Sequence, residues 1–379
     1  MNLNTGGWAS PLLRLVARLR SDGLNSTTPV TEINGGTISA TNADIAIVAK
    51  GTGATLAQVP DGTVVGGNKR GQYATDLQKF RVANSTVASG VYSTICGGQS
   101  NTASGSNSVA VGGREQVVSG ADAAVVGGWG NNASSAYSFI GGGQSNSALT
   151  NTYATVCGGS TNTASGHYSF VGGGQLNTAS AVNAVVCGGS SNTASQTSST
   201  VVGGDSNTAN AIGSTVLGGN FGITRGIQGY CVTPACNGPI STLQGRTQSA
   251  LLLLGRQTTD ATATVLTSNT SAASTTNQVI LPNNSAYSFS GEVIAGVTGG
   301  GDTARWTLNG AIKRGVNAAS TAMVGTATVT MTHNDAGAAA WTVAVTADTT
   351  NGGIAVTVTG AAATTIRWVA KINTTEMTY

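Results

Sequence analysis

Apolar and polar residues alternate through most of the chain, and between about residues 91 and 222 the alternation is locked to a repeat. Gly-Gly pairs begin at Gly97, Gly112, Gly127, Gly142, Gly158, Gly173, Gly188, Gly203 and Gly218; every step is 15 residues except one of 16, from Gly142 to Gly158. Fifteen residues are too few for a helix pair or a propeller blade and suit one circuit of a β-solenoid. Each circuit adds about 4.8 Å, so nine predict a rod of roughly 40 Å. Three residues after the second Gly of the first eight pairs stand Asn101, Gln116, Asn131, Asn146, Asn162, Asn177, Asn192 and Asn207. This column is expected at a turn, in the left-handed backbone that Asn tolerates, bonded to its copy one coil away.

The strand before each Gly pair has two unlike faces. One carries Ser or Ala and then a β-branched residue, as in Ser138 and Ile140, Ala154 and Val156, or Ser169 and Val171, and is assigned to the interior. The other carries Val109 and Val111, Ala124 and Val126, Phe139 and Gly141, Thr155 and Cys157, Phe170 and Gly172, Val185 and Cys187, and Thr215 and Leu217. A thin solenoid has one inside, so a second apolar face needs a cover, and identical chains are the simplest one. Both coils with Phe at the first outer position have Gly at the second, a trade of large for small that a packed contact demands. A parallel homotrimer is therefore expected, with Val109, Val111, Val126, Phe139, Cys157, Phe170, Cys187 and Leu217 at its interface.

The period is lost over residues 223–250, whose Gly and Pro content reads as a neck. Beyond it, short alternating segments run through Gln278 to Leu281, Tyr287 to Ala295, Ala304 to Leu308, Ala327 to Thr332, Trp341 to Ala347, Ile354 to Thr359 and Ile366 to Thr374. Such strands with turn residues between them predict a C-terminal β-sandwich or jelly roll over 251–379. Trp306, Trp341 and Trp368 lie within strands and are assigned to its core. At the other end, Pro11 follows a capping Ser10, and Leu12, Leu15, Val16 and Leu19 share one helical face, predicting a short helix over residues 10 to 20. The fold class is thus all-β, with a short N-terminal helical segment, a 61–222 solenoid shaft of 15-residue repeats and a β-rich tip.

Composition sharpens this picture. Gly is 55 of 379 residues and charged residues are 8%, against a usual share of roughly 7% Gly and ~25% charged. With hydrophobic residues at 40% and a net charge of +3, the chain lacks the low hydrophobicity and high charge of disorder. It also lacks the clustered Lys and Arg that a nucleic-acid surface needs. No apolar stretch approaches the ~20 residues that span a bilayer. Arg14, Arg18 and Arg20 interrupt the only apolar N-terminal segment, so no signal peptide is expected.

Little catalytic chemistry is on offer. Glycan cleavage needs two carboxylates flanking the bond, and the acids in the repeats are Glu115, Asp122 and Asp205, none matched on adjacent coils. With only His167 and His333, neither a Ser-His-Asp set nor a Cys/His zinc site is expected, and no cofactor or metal is implied. Cys96, Cys157 and Cys187 share one column; the nearer two lie two coils apart, beyond disulfide reach, and read as small apolar fillers. Cys231 and Cys236 share a Pro-containing loop, and the sequence leaves their bridging open. Tyr92, Tyr137, Tyr153 and Tyr168 share another column, read as a stabilising ladder in preference to a saccharide platform.

The segment from Gly66 to Gln78 (Gly-Gly-Asn-Lys-Arg-Gly-Gln-Tyr-Ala-Thr-Asp-Leu-Gln), followed by Val87-Ala88-Ser89-Gly90 and the Gly-Gly-x-x-Asn-Thr-Ala-Ser-Gly repeats, resembles tail fibre proteins of tailed phages. The repeats are also similar to the head repeats of trimeric autotransporter adhesins, which form parallel β-rolls; that likeness reaches the repeat fold only. The ending Ile366-Arg367-Trp368-Val369-Ala370 resembles the terminal strand of the β-sandwich tip of such fibres. The resemblance implies a virion component, and the expected lack of a signal peptide leaves the host cytoplasm as its expected place of synthesis. Residues 1–60 would attach it to other tail or baseplate proteins, and the tip would contact a host envelope receptor such as a surface glycan. It identifies no contact residues, and turns between tip strands face outward, which makes Asn283, Asn284, Asp302, His333, Asn334 and Asp335 the candidates.

Overall fold

The computed structural model describes residues 52–236 and 238–379. The helix expected over residues 10 to 20, with most of the 1–60 region, lies outside them. Among the described residues, regular structure is β apart from two short 3-10 turns, Ala318–Ser320 and Ala336–Ala338.

The repeat region is a parallel β-solenoid, as expected. A typical coil carries two short rungs, such as Phe139–Ile140 and Ser147–Ala148. Copies stack in parallel, Thr155 on Phe170 on Val185 along one side and Thr163 on Thr178 on Thr193 along the other. Among the described residues the first rung is Thr55–Leu56, paired with Thr75–Asp76.

Alternation places Ile140, Val156, Val171, Val186 and Val201 inside with no exposure, together with Ala148, Ala164, Ala179 and Ala194 of the second rungs. Volume is balanced coil by coil. Ile95 shares its coil with Ala103 and Ile140 with Ala148, but the coil that has Ala110 in the first rung has Val118 in the second. That exchange keeps a close-packed bore filled.

The Asn column is buried and does bond from coil to coil, though not in the expected conformation. Left-handed backbone belongs to the preceding residue, as at Ser100, Ser145, Thr161 and Ser191, with φ between 53° and 57°. Asn itself is turned inward. Asn146 is typical: Nδ2 donates to the carbonyls of Gly142 and Gly159, both at 2.9 Å, and Oδ1 accepts the backbone N–H of Asn162 at 3.0 Å. Three bonds per side chain satisfy turn groups that would otherwise be buried unpaired. The second Gly of each pair makes room for this. At Gly143, φ is +86°, and a Cβ would come 2.1 Å from the Gly159 carbonyl oxygen and 2.8 Å from Asn146 Nδ2.

The extra residue of the 16-residue coil falls between Ala148, in register with Ala133, and Thr155, in register with Phe139. Thr150 there takes φ 66°, and Thr150 Oγ1 and Asn151 Nδ2 both bond the Ser165 carbonyl. The insertion is absorbed in one turn and the ladders continue undisturbed.

Within residues 223–250, read above as a neck, one segment is a strand and a second strand begins. Cys231–Pro234 adds one more parallel rung on Thr215–Val216, and the long strand Thr247–Thr258 then pairs antiparallel with it. From there the sheet runs through Ile366–Thr378, Ser285–Val297, Thr303–Arg314 and Thr328–Asn334. Shaft and tip therefore share one hydrogen-bonded sheet. A second, smaller sheet is built on Gly353–Thr359 with Thr264–Val265, Val279–Ile280 and Thr342–Asp348. Trp306, Trp341 and Trp368 are buried as expected, with ring centroids 5.6 and 5.7 Å apart, and Trp368 Nε1–H donates to Thr258 Oγ1.

Candidate functional site

The most extensive surface is the outer face of the first-rung ladder. Val111 and Val126 are each 44% exposed, Phe139 39% and Leu217 51%, while Cys157 and Cys187 are exposed and Val109 and Phe170 half-buried. The opposite face of the shaft carries mostly hydroxyls, including Thr163, Thr178, Thr193, Ser165 and Ser180. One flank of the solenoid is greasy and the other polar.

The Phe-for-Gly trade has a nearer cause than a neighbouring chain. A Cβ at Gly141 would lie 3.5 Å from Phe139 Cε1 and 2.3 Å from the Cys157 carbonyl oxygen; at Gly172 the distances are 3.3 Å to Phe170 Cε1 and 2.2 Å to the Cys187 oxygen. Each ring lies against its own coil's glycine. Compensation is met inside one chain, and the case for a cover rests on exposure alone.

The apolar strip changes character at the tip. The column of Thr215 continues in register through Cys231, Leu251, Asn373, Ser290 and Asn309 to Thr328. Its neighbour continues through Thr233, Ser249, Thr375 and Ser288. Small hydroxyl and amide side chains beside Leu217 and Leu251 leave a hollow of about 440 Å³.

The candidate tip residues separate into two groups. Asp302, His333, Asn334 and Asp335 come together. Asp335 Oδ2 accepts the Thr303 N–H at 2.9 Å, Asp302 Oδ1 accepts the Gly337 N–H at 3.2 Å, and His333 pairs in register with Arg305. His333, Asn334 and Asp335, with Ile294 and Thr332, border a shallow groove of about 640 Å³; Asp302 lies beside it, not in its lining. Asn283 and Asn284 lie at the other end of the Ser285–Val297 strand, where the Asn284 carbonyl accepts the Tyr379 N–H. At roughly 3.3 Å per residue that strand holds the groups about 40 Å apart.

Tyr137, Tyr153 and Tyr168 stack with centroids 4.9 and 5.0 Å apart and interplanar angles of 10° and 14°; Tyr73 and Tyr92 do the same. Their ring faces are spent on one another, which fits a ladder better than a sugar platform. Glu115 and Asp122 hold different partners: Glu115 accepts from the Trp129 indole and Asp122 from Asn107 Nδ2. Cys231 and Cys236 are free thiols.

Two charged clusters escape a reading by repeats. At the N-terminal end of the solenoid, buried Asp76 Oδ2 binds Arg70 Nε at 2.7 Å and Arg81 Nη2 at 3.1 Å. Gln78 there takes the place of the ladder Asn, its Oε1 accepting the Asn101 N–H. At the shaft–tip joint, buried Glu376 accepts from Arg225 Nε, Gln248 Nε2, Thr374 Oγ1 and the Tyr230 hydroxyl. Burial, and next the Glu376 charge, push the Tyr230 and Tyr287 hydroxyls well above their ordinary value of 10. Arg70 and Asp76 of the first cluster stand in the phage-like segment and Arg81 just beyond it, but nothing in their spacing signals burial.

No protein-family model and no curated protein matches the chain. Among solved structures it is matched to the crystal structure of the Acinetobacter baumannii phage AM24 tailspike protein, at 8% identity and a TM-score of 0.23, over 82% of this chain and 60% of that one. The chain thus spans less than two thirds of that tailspike, and a superposition this loose carries no argument about function.

Proposed function

We propose that the chain is a fibre of a phage tail, a parallel homotrimer that binds a host-cell surface during adsorption and has no catalytic role. The carrying observation is the exposed apolar strip, from Val109 to Leu217, on one flank of a solenoid whose other flank is hydroxylated. Water disfavours such a strip at ~25 cal/mol per Å², and three parallel copies facing inward would shield every coil at once. The phage-like segment from Gly66 to Gln78 supports a place on the virion, with residues 1–60 as the attachment region to other tail or baseplate proteins. The 251–379 tip is then the receptor-binding part, and the cluster of Asp302, Asp335 and the strand-end residues His333 and Asn334, which lie on the strand Thr328–Asn334 and not on the expected turn, is its favoured contact, with Asn283 and Asn284 forming a separate patch. The receptor class that fits is an envelope polysaccharide.

The test is competition. Purified full-length protein added to host cells is expected to block adsorption of the parent phage, and the double variant His333→Ala/Asp335→Ala to block it less. Absence of competition by the full chain would contradict receptor binding and leave a spacer role. Release of reducing sugars from envelope polysaccharide would contradict the non-catalytic reading.

A further inference from the structure

Trp129 differs from the other indoles among the described residues. Trp306, Trp341 and Trp368 are buried in the tip, whereas Trp129 is 43% exposed on the turn after Gly127 and Gly128. The coil does not need it. The same column holds Gln99, Arg114, Gln144, Ser160, Gln175 and Ser190, each joined to the next by a single backbone bridge. Stacking there is secured on every coil by backbone and by the Asn ladder, whichever side chain stands in this column.

Its orientation is nevertheless fixed. Nε1–H donates to Glu115 Oε2 at 2.8 Å, and the Arg114 guanidinium lies 4.6 Å from the ring centroid. Arg114 Nε is also 3.6 Å from Glu115 Oε1, so the two charges offset each other within the cluster. The result is an oriented, part-exposed indole, one face capped by the Arg114 guanidinium, bordered by hydrogen-bonding groups with no net charge. That combination suits a neutral sugar ring, whose C–H face stacks on an indole while its hydroxyls meet a carboxylate and amides. An acidic ligand would meet the Glu115 carboxylate and an Arg114 already paired.

We propose that Trp129, Glu115 and Arg114, with Gln144 on the adjoining coil, form a binding site for a neutral saccharide on the side of the shaft. The inference rests on the surface-binding reading above and deepens it by adding a sugar contact remote from the tip turns.

The test uses the full chain, its Trp129→Gln variant and the tip double variant His333→Ala/Asp335→Ala on a printed array of neutral and acidic bacterial surface oligosaccharides. Trp129→Gln copies Gln99, Gln144 and Gln175 of the same column and should leave the coil intact. The expected result is binding to neutral saccharides that falls roughly tenfold or more in Trp129→Gln, with sedimentation unchanged and with the tip variant still bound. Undiminished binding by Trp129→Gln, binding to acidic glycans alone, or no array binding by the full chain would overturn the site. A change of oligomeric state in Trp129→Gln would overturn it as well, marking the indole as a contact between copies. If the site fails while the full chain still competes for adsorption, the fibre reading stands; if the chain does neither, both fall.

Discussion

At the residue scale the ladder shows its logic best where it departs from Asn. Gln116 Oε1 still accepts the Asn131 N–H, but its longer side chain leaves Nε2 buried without a partner. Gln116→Asn should restore the two donations its neighbours make, here to the carbonyls of Gly112 and Gly128. A gain of about 1 kcal/mol is expected, read as a higher Tm by calorimetry; a lower Tm would show that Nε2 is satisfied in solution. Val118 fills the space that Ala110 leaves, so Val118→Ala should lower stability by about 2 kcal/mol in denaturant unfolding. Periodicity made both columns legible. It could not reveal that the left-handed residue precedes Asn, because Ser100, Glu115, Thr161 and Leu176 occupy that position and share no chemistry.

At the element scale, legibility followed alternation. The seven tip segments read from alternating residues all fall in or against observed strands, but Thr247–Thr258 went unread. Its run Leu251-Leu252-Leu253-Leu254 hides the period: Leu252 and Leu254 are buried while Leu253 is 56% exposed, so one leucine faces inward and the next outward. The end clusters were equally invisible, because pairing across coils depends on register. Asp76 joins two buried arginines, and Asp76→Ala would leave both uncompensated. A loss of roughly 3–5 kcal/mol is expected, measured as a fall in the denaturation midpoint; little change would mean that water reaches the guanidinium groups.

At the scale of the whole molecule, one hydrogen-bonded sheet runs from shaft into tip, and Glu376 joins Arg225, Gln248, Thr374 and Tyr230 where shaft and tip meet. The joint has an alkaline signature. Burial raises the Tyr230 and Tyr287 hydroxyls in the folded chain well above 10. Below about pH 10 both hydroxyls are protonated folded or unfolded, and full stability is present. Above it the unfolded chain releases protons first, so stability should fall as pH rises. Thermal melts across that range should show the decline, and Tyr287→Phe should make it shallower; an equal decline would place its cause elsewhere.

The central claim is that the strip from Val109 to Leu217 is covered by sister chains. Sedimentation equilibrium of the full-length protein tests it most directly. A single species of three times the single-chain mass, persisting on dilution, is the predicted result; a stable single-chain mass would contradict it.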